Sequence, residues 1–289
     1  PAHTFVATAS AVVNAGAKPI LVDVAKDYNI DVDKIEDAIT PRTKAIMPVH
    51  LNGRVCDMDA IMAIAEKYNL IVIEDACQSL GATFNGKRAG SFGLTGCWSF
   101  YPFKILGCYG DGGAITTDDP AIARMASLYR YNGEDRKTGE YHYHGCTCLL
   151  DNLQAAFLDI KLKYLPQWIR RRQQIAEYYR NGLADIEELQ LPHFEDNRFV
   201  DVYQNYVIRT KRRDELANYL KENGVEVLIH WRIPYYRYKA LNLEDRGFPE
   251  TEAISREVLS LPMNVEISDE QVDYVIKTIR KFFNKRIKR

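Results

Sequence analysis

Short apolar runs alternate along this chain with stretches whose apolar residues recur at helical spacing. Strand-like runs stand at Pro19–Val24, Thr43–Val49, Leu70–Asp75, Cys97–Phe100 and Gly113–Thr117. Between the first three lie amphipathic stretches, Val32–Ile39 behind an Asp31 cap and Met58–Tyr68 behind Asp57. Strands that are apolar along their whole length and alternate with helices predict a mostly parallel sheet with helices on both faces, an α/β fold. A helical region then runs from Asp151 to Leu183, broken near Pro166. Beyond about Leu191 the pattern predicts a strand (Val202–Thr210), a helix (Lys211–Asn223), a strand (Val225–Trp231) and two helices ending near Phe283. Two units follow: a large one over residues 1–190, including the long helix, and a smaller α+β domain over residues 191–289. No internal repeat or low-complexity linker separates them.

The chain has 289 residues, 46% hydrophobic and 27% charged, ordinary for a globular protein able to bury a substantial core. A net charge of −1 gives no reason to expect a nucleic-acid or membrane partner. The basic run Arg170–Arg172, with Lys161, Lys163 and Arg180 around it, reads as one solvated face of a long helix. No stretch has the unbroken apolar length of a membrane span. The six cysteines include no CxxC pair and read as reduced thiols of a cytoplasmic protein. His142 and His144 stand close to Cys146 and Cys148, but the alternation Tyr141-His142-Tyr143-His144 fits a strand or loop better than a metal site.

Chemistry concentrates in two segments. In SFYPFKILGCYGDGGAI, Ser99 to Ile115, the one lysine is Lys104, set among apolar, aromatic and glycine residues. Lysine is seldom placed so unless it is exposed or used for its amine. Upstream, LIVIEDACQSLGA ends an apolar run in Glu74 and Asp75. An aspartate at the carboxyl end of a buried strand, followed by a lysine in an apolar loop, is the pair a pyridoxal phosphate enzyme needs. The lysine forms the Schiff base, and the aspartate keeps the pyridine nitrogen protonated. Parallel sheets bind ligands at the carboxyl ends of their strands, where Asp75 is expected.

Five collinear segments resemble the DegT/DnrJ/EryC1/StrS sugar aminotransferases, a family of fold-type I (aspartate aminotransferase-like) pyridoxal 5′-phosphate enzymes. They are PAHTFVATASAV (Pro1–Val12), TKAIMPVHLNGRVCDMDAI (Thr43–Ile61), IEDACQSLGATFNGKRAGSFG (Ile73–Gly93), SFYPFKILGCYGDGGAITT (Ser99–Thr117) and DNLQAAFLDIKL (Asp151–Leu162). The resemblance implies Lys104 as the catalytic Schiff-base lysine and proton shuttle, and Asp75 as the partner of the pyridinium nitrogen. By the same resemblance Gln78 lies beside the cofactor's phenolic oxygen, Ser99 binds its phosphate, and Phe5 and Cys77 pack on the two faces of its ring. Glu74 reads as a supporting residue, and His230 matches a histidine near the sugar site.

The implied reaction moves an amino group from an amino acid, glutamate, to a nucleotide-linked keto-sugar. The implied assembly is a homodimer in which the region of Thr147 serves the partner's cofactor. Two departures stand out. The family's Gly-aromatic-Asn-x-Arg is replaced by Gly145-Cys146-Thr147-Cys148-Leu149, so a hydroxyl is kept for phosphate but Leu149 cannot supply a guanidinium. The chain also opens within the family's large domain, so an upstream phosphate-binding turn is expected in a longer product. Two rivals share the scaffold. A pyridoxamine phosphate-dependent sugar dehydratase would carry histidine in place of Lys104, and a non-catalytic regulatory or sensor protein would be expected to lose Lys104 or Asp75.

Overall fold

A computed structural model describes residues 1–192 and 196–284. In chain order the elements are α1 (Ala7–Asn14), α2 (Ile35–Ala38), β1 (Ala45–Ile46), α3 (Met58–Lys67), β2 (Ile71–Asp75), β3 (Thr83–Phe84), β4 (Lys87–Arg88), β5 (Thr95–Ser99), β6 (Gly113–Thr116) and α4 (Pro120–Tyr129). There follow β7 (Glu134–Asp135), β8 (Glu140–Tyr141), α5 (Asn152–Leu162), α6 (Leu165–Leu183), β9 (Phe199–Val200), β10 (Tyr206–Arg209), α7 (Arg213–Glu222), α8 (Pro249–Glu257), β11 (Val258–Leu261) and α9 (Asp269–Asn284).

The central sheet has the order β1-β2-β5-β6, with the first two pairings parallel and β6 antiparallel at the edge. This is the expected mostly parallel α/β sheet. Its register sets Asp75 opposite Cys97, and an isolated parallel bridge joins Asp75 to Val49 on the other side. Because β2 and β5 run the same way, Asp75 and Ser99 both stand at carboxyl strand ends, the edge where such sheets bind ligands.

The expected caps form. The Asp57 carboxylate accepts from Ala60 N at 3.2 Å to open α3, and Asp31 accepts from Asp33 N ahead of α2. The long helical region divides between α5 and α6, with Pro166 in the first turn of α6, where its missing N–H is not needed.

Two expected strands do not form. Along Pro19–Val24 only Val24 makes a bridge, to Ile30, because Val22 O accepts from Ala2 N and Asp23 O from Asp31 N. Along Val225–Trp231 only Leu228 bridges Ser260, while β10 takes β11 as its ladder partner.

One apolar cluster surrounds the sheet, with Ile46, Met58, Ile61, Val72 and Phe84 at its centre. A second joins α6, α7 and α9 to β10 and β11 through Ile175, Tyr179, Leu183, Ile208, Leu216 and Ile279. A third spans the two, packing Val24, Tyr28, Val49 and Leu51 against Val207, Ile254 and Val258. Burial of a residue such as Leu51 or Ile254 contributes about 1.5–3 kcal/mol. A polar tie reinforces this seam: buried Asp23 accepts from Glu250 N (3.1 Å), Thr251 N (2.9 Å) and Thr251 Oγ1 (2.8 Å), capping α8 from far away in sequence.

No helix among the described residues is long and apolar enough to cross a membrane. Nor do the described residues contain a group of three or more His, Cys, Asp or Glu side chains able to hold a metal ion.

Candidate active site

The end of β2 carries two carboxylates with opposite fates. Glu74 is fully buried, and its oxygens accept from His50 Nε2 (2.9 Å), Gly90 N (2.7 Å), Phe92 N (2.6 Å) and Gly93 N (2.7 Å). The His50 ring accepts Cys56 N at Nδ1, so its proton sits on Nε2, facing Glu74. Burial alone would raise the Glu74 pKa, but the His50 and backbone donors outweigh it and hold the carboxyl below its ordinary value. Glu74 is therefore a structural hub that ties β2 to the turns at His50 and Gly90–Gly93.

Asp75 points the other way. Its Oδ2 accepts from Thr8 Oγ1 at 2.9 Å and its Oδ1 from Cys77 N at 3.3 Å. Both donors are neutral, and no ion pair to Asp75 is found among the described residues, so no side-chain cation there competes with a cationic ligand group.

Lys104 follows β5 in a turn closed by its own N–H on Tyr101 O (2.9 Å). It lines a small pocket with Cys77, Gln78, Ser99, Phe100 and Gln204. Burial lowers its pKa from the ordinary 10.5, with the negative charge of Asp75 acting in the opposite direction. A lysine amine made less basic in this way is a better nucleophile and proton carrier at neutral pH.

Four of the expected residues thus meet in one pocket, with Asp75 adjoining it. Gln78 has its carbonyl oxygen committed to Asn52 N (2.9 Å), which leaves its NH2 group as the donor for a ligand. Ser99 Oγ accepts from Tyr101 N at 3.3 Å and keeps its hydroxyl proton available. Burial and the Asp75 charge push the Cys77 thiol well up, so it stays protonated and acts as a small apolar group.

The remaining three do not line this pocket. Phe5 is 57% exposed, in the turn leading into α1, the helix that brings Thr8 to Asp75. His230 lines a separate cavity of about 750 Å³ with Asn205 and Ser260. It feels burial first and then the Lys104 charge, both lowering its pKa. Its Nε2 is buried and without a hydrogen-bond partner among the described residues. Thr147 is exposed and donates to Asn132 Oδ1 at 3.2 Å, outside the Lys104 pocket of its own chain.

Two residues at the site escaped the sequence reading. Thr8 reaches Asp75 from a helix that the pattern did not reveal. Gln204 reaches the Lys104 turn from the start of the second unit, accepting from Ile105 N at 3.0 Å and donating to Phe103 O at 2.8 Å. A single polar residue carries no sequence signal for such long-range partners.

The donor set fits pyridoxal phosphate. Asp75 offers a charged acceptor, Lys104 an amine of reduced basicity, Gln78 an amide NH2 and Ser99 a hydroxyl, around a thiol that stays neutral.

Comparison with known proteins agrees. Residues 1–280 match the profile of the DegT/DnrJ/EryC1/StrS aminotransferase family. The chain is 43% identical to the dTDP-3-amino-3,6-dideoxy-alpha-D-galactopyranose transaminase of Aneurinibacillus thermoaerophilus, over 98% of this chain and 77% of that one. It is 40% identical to a protein of Geobacillus stearothermophilus named pleiotropic regulatory protein, again over 98% and 77%. Among solved structures, that of S. venezuelae DesV in complex with a ketimine intermediate superposes with a TM-score of 0.94 at 38% identity, covering 98% of this chain and 77% of DesV. With the family profile matched over residues 1–280, this protein belongs to the DegT/DnrJ/EryC1/StrS aminotransferase family.

Proposed function

We propose that this protein is a pyridoxal phosphate-dependent aminotransferase that transfers the amino group of an amino acid, glutamate, to the keto carbon of a nucleotide-linked sugar. The observation that carries the reading is the placement of Lys104 in a pocket with Gln78 and Ser99, adjoining the Asp75 carboxylate that Thr8 and Cys77 N hold. Pyridoxal phosphate, when bound, supplies the electron sink and the carrier for the amino group.

Each side chain then has a task its geometry suits. Lys104 Nζ would hold the cofactor and would carry a proton to and from the reacting carbon. Asp75 holds the protonated ring nitrogen. Gln78 Nε2 donates to the ring's phenolic oxygen, Ser99 Oγ bonds the phosphate, and Cys77 and Phe5 pack against the ring. His230 faces the sugar. Thr147 serves the partner's cofactor in a homodimer, which suits its exposed position away from its own chain's pocket. The name of the Aneurinibacillus relative supports a nucleotide-linked acceptor. A reaction in nucleotide-sugar synthesis suits a cytoplasmic protein.

A regulatory reading draws on the name of the Geobacillus relative. It gives no reason for Lys104 and Asp75 to stand together, so the enzymatic reading is preferred. The test is the donor half-reaction: the chain loaded with pyridoxal phosphate and mixed with glutamate should release about one equivalent of 2-oxoglutarate per site, and Lys104→Ala should release none. Equal release from both would sink the assignment.

A further inference from the structure

The backbone on both sides of Lys104 is gripped by a single side chain. Gln204 Oε1 accepts from Ile105 N at 3.0 Å, and Gln204 Nε2 donates to Phe103 O at 2.8 Å. A carboxamide is the side-chain group that offers a donor and an acceptor side by side, so it can answer a C=O and an N–H two positions apart as a neighbouring strand would. Gln204 supplies both of the side-chain hydrogen bonds found on Phe103–Ile105 among the described residues. The far end of the same loop has other anchors, Lys161 Nζ on Gly107 O (2.6 Å) and Gln154 Oε1 under Tyr109 N (2.8 Å).

Gln204 is itself held rigidly. Buried Arg172 on α6 donates to the carbonyls of Tyr203 (3.0 Å), Gln204 (3.3 Å) and Met263 (3.2 Å). On its other side Val202 N bonds Gly53 O at 2.9 Å. A Cβ at Gly53 would come within 2.7 Å of Gln204 N, and Gly53 has φ +94°, so only glycine allows this approach. The next residue, Asn205, donates to Asn52 Oδ1 at 3.1 Å, and Asn52 N donates to Gln78 Oε1 at 2.9 Å. One segment, Tyr203–Asn205, therefore connects α6, the Gln78 turn and the Lys104 turn.

We infer that Gln204 is a positioning residue for Lys104: its carboxamide fixes the lysine's backbone from the second unit and so holds the amine inside the pocket. The inference rests on the reading of Lys104 as the reacting amine. Without the clamp, the turn that carries exposed Phe103 is free to swing and Nζ moves toward water, where it regains ordinary basicity.

The test is made first on the chain without cofactor. Lys104 is acetylated with acetic anhydride across a pH series, and the extent of modification is read by peptide mass spectrometry. Wild type should react with a midpoint below the ordinary lysine value of 10.5. Gln204→Met, which keeps the side chain's length and loses both bonds, should move that midpoint upward by about one pH unit. Gln173→Met is the control: it removes a bond just upstream of that segment, Gln173 Nε2 on Asp201 O at 3.0 Å, and should leave the midpoint in place. With cofactor added, kcat for the glutamate half-reaction should fall by about 10-fold in Gln204→Met, with KM changed less than about twofold. If Gln204→Met does not fold, Gln204→Asn, one methylene too short to make both bonds, should show the same shift.

An unchanged midpoint in the Gln204 variant, or an equal shift in Gln173→Met, would overturn the inference. A wrong enzymatic assignment shows itself differently, as a missing Lys104-dependent cofactor band in wild type, and leaves the acetylation result intact.

Discussion

Thr8 Oγ1 donates to Asp75 Oδ2 at 2.9 Å, joining the first helix to the carboxyl end of β2. The bond turns one Asp75 oxygen toward α1 while Cys77 N holds the other. Asp75→Asn removes the charge that keeps a bound pyridine nitrogen protonated, and the glutamate half-reaction should slow by about 100-fold or more. Thr8→Val keeps the volume and loses the donor. It should slow the same step by about 10-fold, the loss expected when about 1.4 kcal/mol of support for the carboxylate is removed. Stopped-flow rates of the two variants check this ordering, and an unaffected Asp75→Asn enzyme would contradict it.

Glu74 is expected to matter for folding and pH tolerance and not for chemistry. Glu74→Gln turns an NH2 toward groups that are themselves donors, leaving buried N–H groups unpaired, and should cost about 3–5 kcal/mol in urea denaturation. The folded carboxyl titrates below its ordinary value of 4.5. Its contribution is therefore present above that value and is lost as the pH falls through the folded pKa. Below about pH 4.5 the wild-type melting temperature should fall more steeply with falling pH than that of Glu74→Gln.

The Asp23 cap makes a separate prediction about the seam between the two units. Asp23→Ala leaves Glu250 N and Thr251 N at the start of α8 without their acceptor and should destabilise by about 1–3 kcal/mol. Thermal unfolding would report it, with activity preserved below the melting range. A change in kcat with an unaltered melting temperature would place Asp23 in the active site instead.

Cys77 lies in the pocket, yet burial and the nearby Asp75 charge keep its thiol protonated. Cys77→Ala should keep the half-reaction rate within about threefold, as expected for a packing contact and not a nucleophile. In the same protein the exposed Cys146 and Cys148 should be alkylated by iodoacetamide well before Cys77 and the buried Cys56.

Much of this was legible in the chain because the informative residues sit in short segments with strong local contrast. A lone lysine in an apolar, glycine-rich stretch and an aspartate closing an apolar run marked Lys104 and Asp75. Gln78 and Ser99 lay within the same two segments. The parallel sheet was readable for a similar reason, since the apolar Ile71–Ile73 of β2 stands between helical stretches.

What stayed hidden depends on partners distant in sequence. The run Val225–Trp231 is as strand-like as β10, but Val258–Leu261 follows α8 without a turn residue and takes the place beside β10. A similar limit shows past residue 190: Phe199 and Val200 pair with β3 and Val202 packs in the sheet cluster, while Tyr206 and Ile208 pack with α6, α7 and α9. Thr8 and Gln204 are ordinary polar residues by type, and only the tertiary approach of α1 to β2 and of residues 203–205 to the Lys104 turn gives them meaning.

The most direct measurement is the absorbance spectrum of the purified chain titrated with pyridoxal phosphate, alongside Lys104→Ala. The expected result is a saturable visible band of covalently held cofactor in wild type that is missing in the variant and fades when glutamate is added. The same band in both proteins, or a wild-type band indifferent to glutamate, would contradict the assignment of Lys104 and with it the proposed aminotransferase.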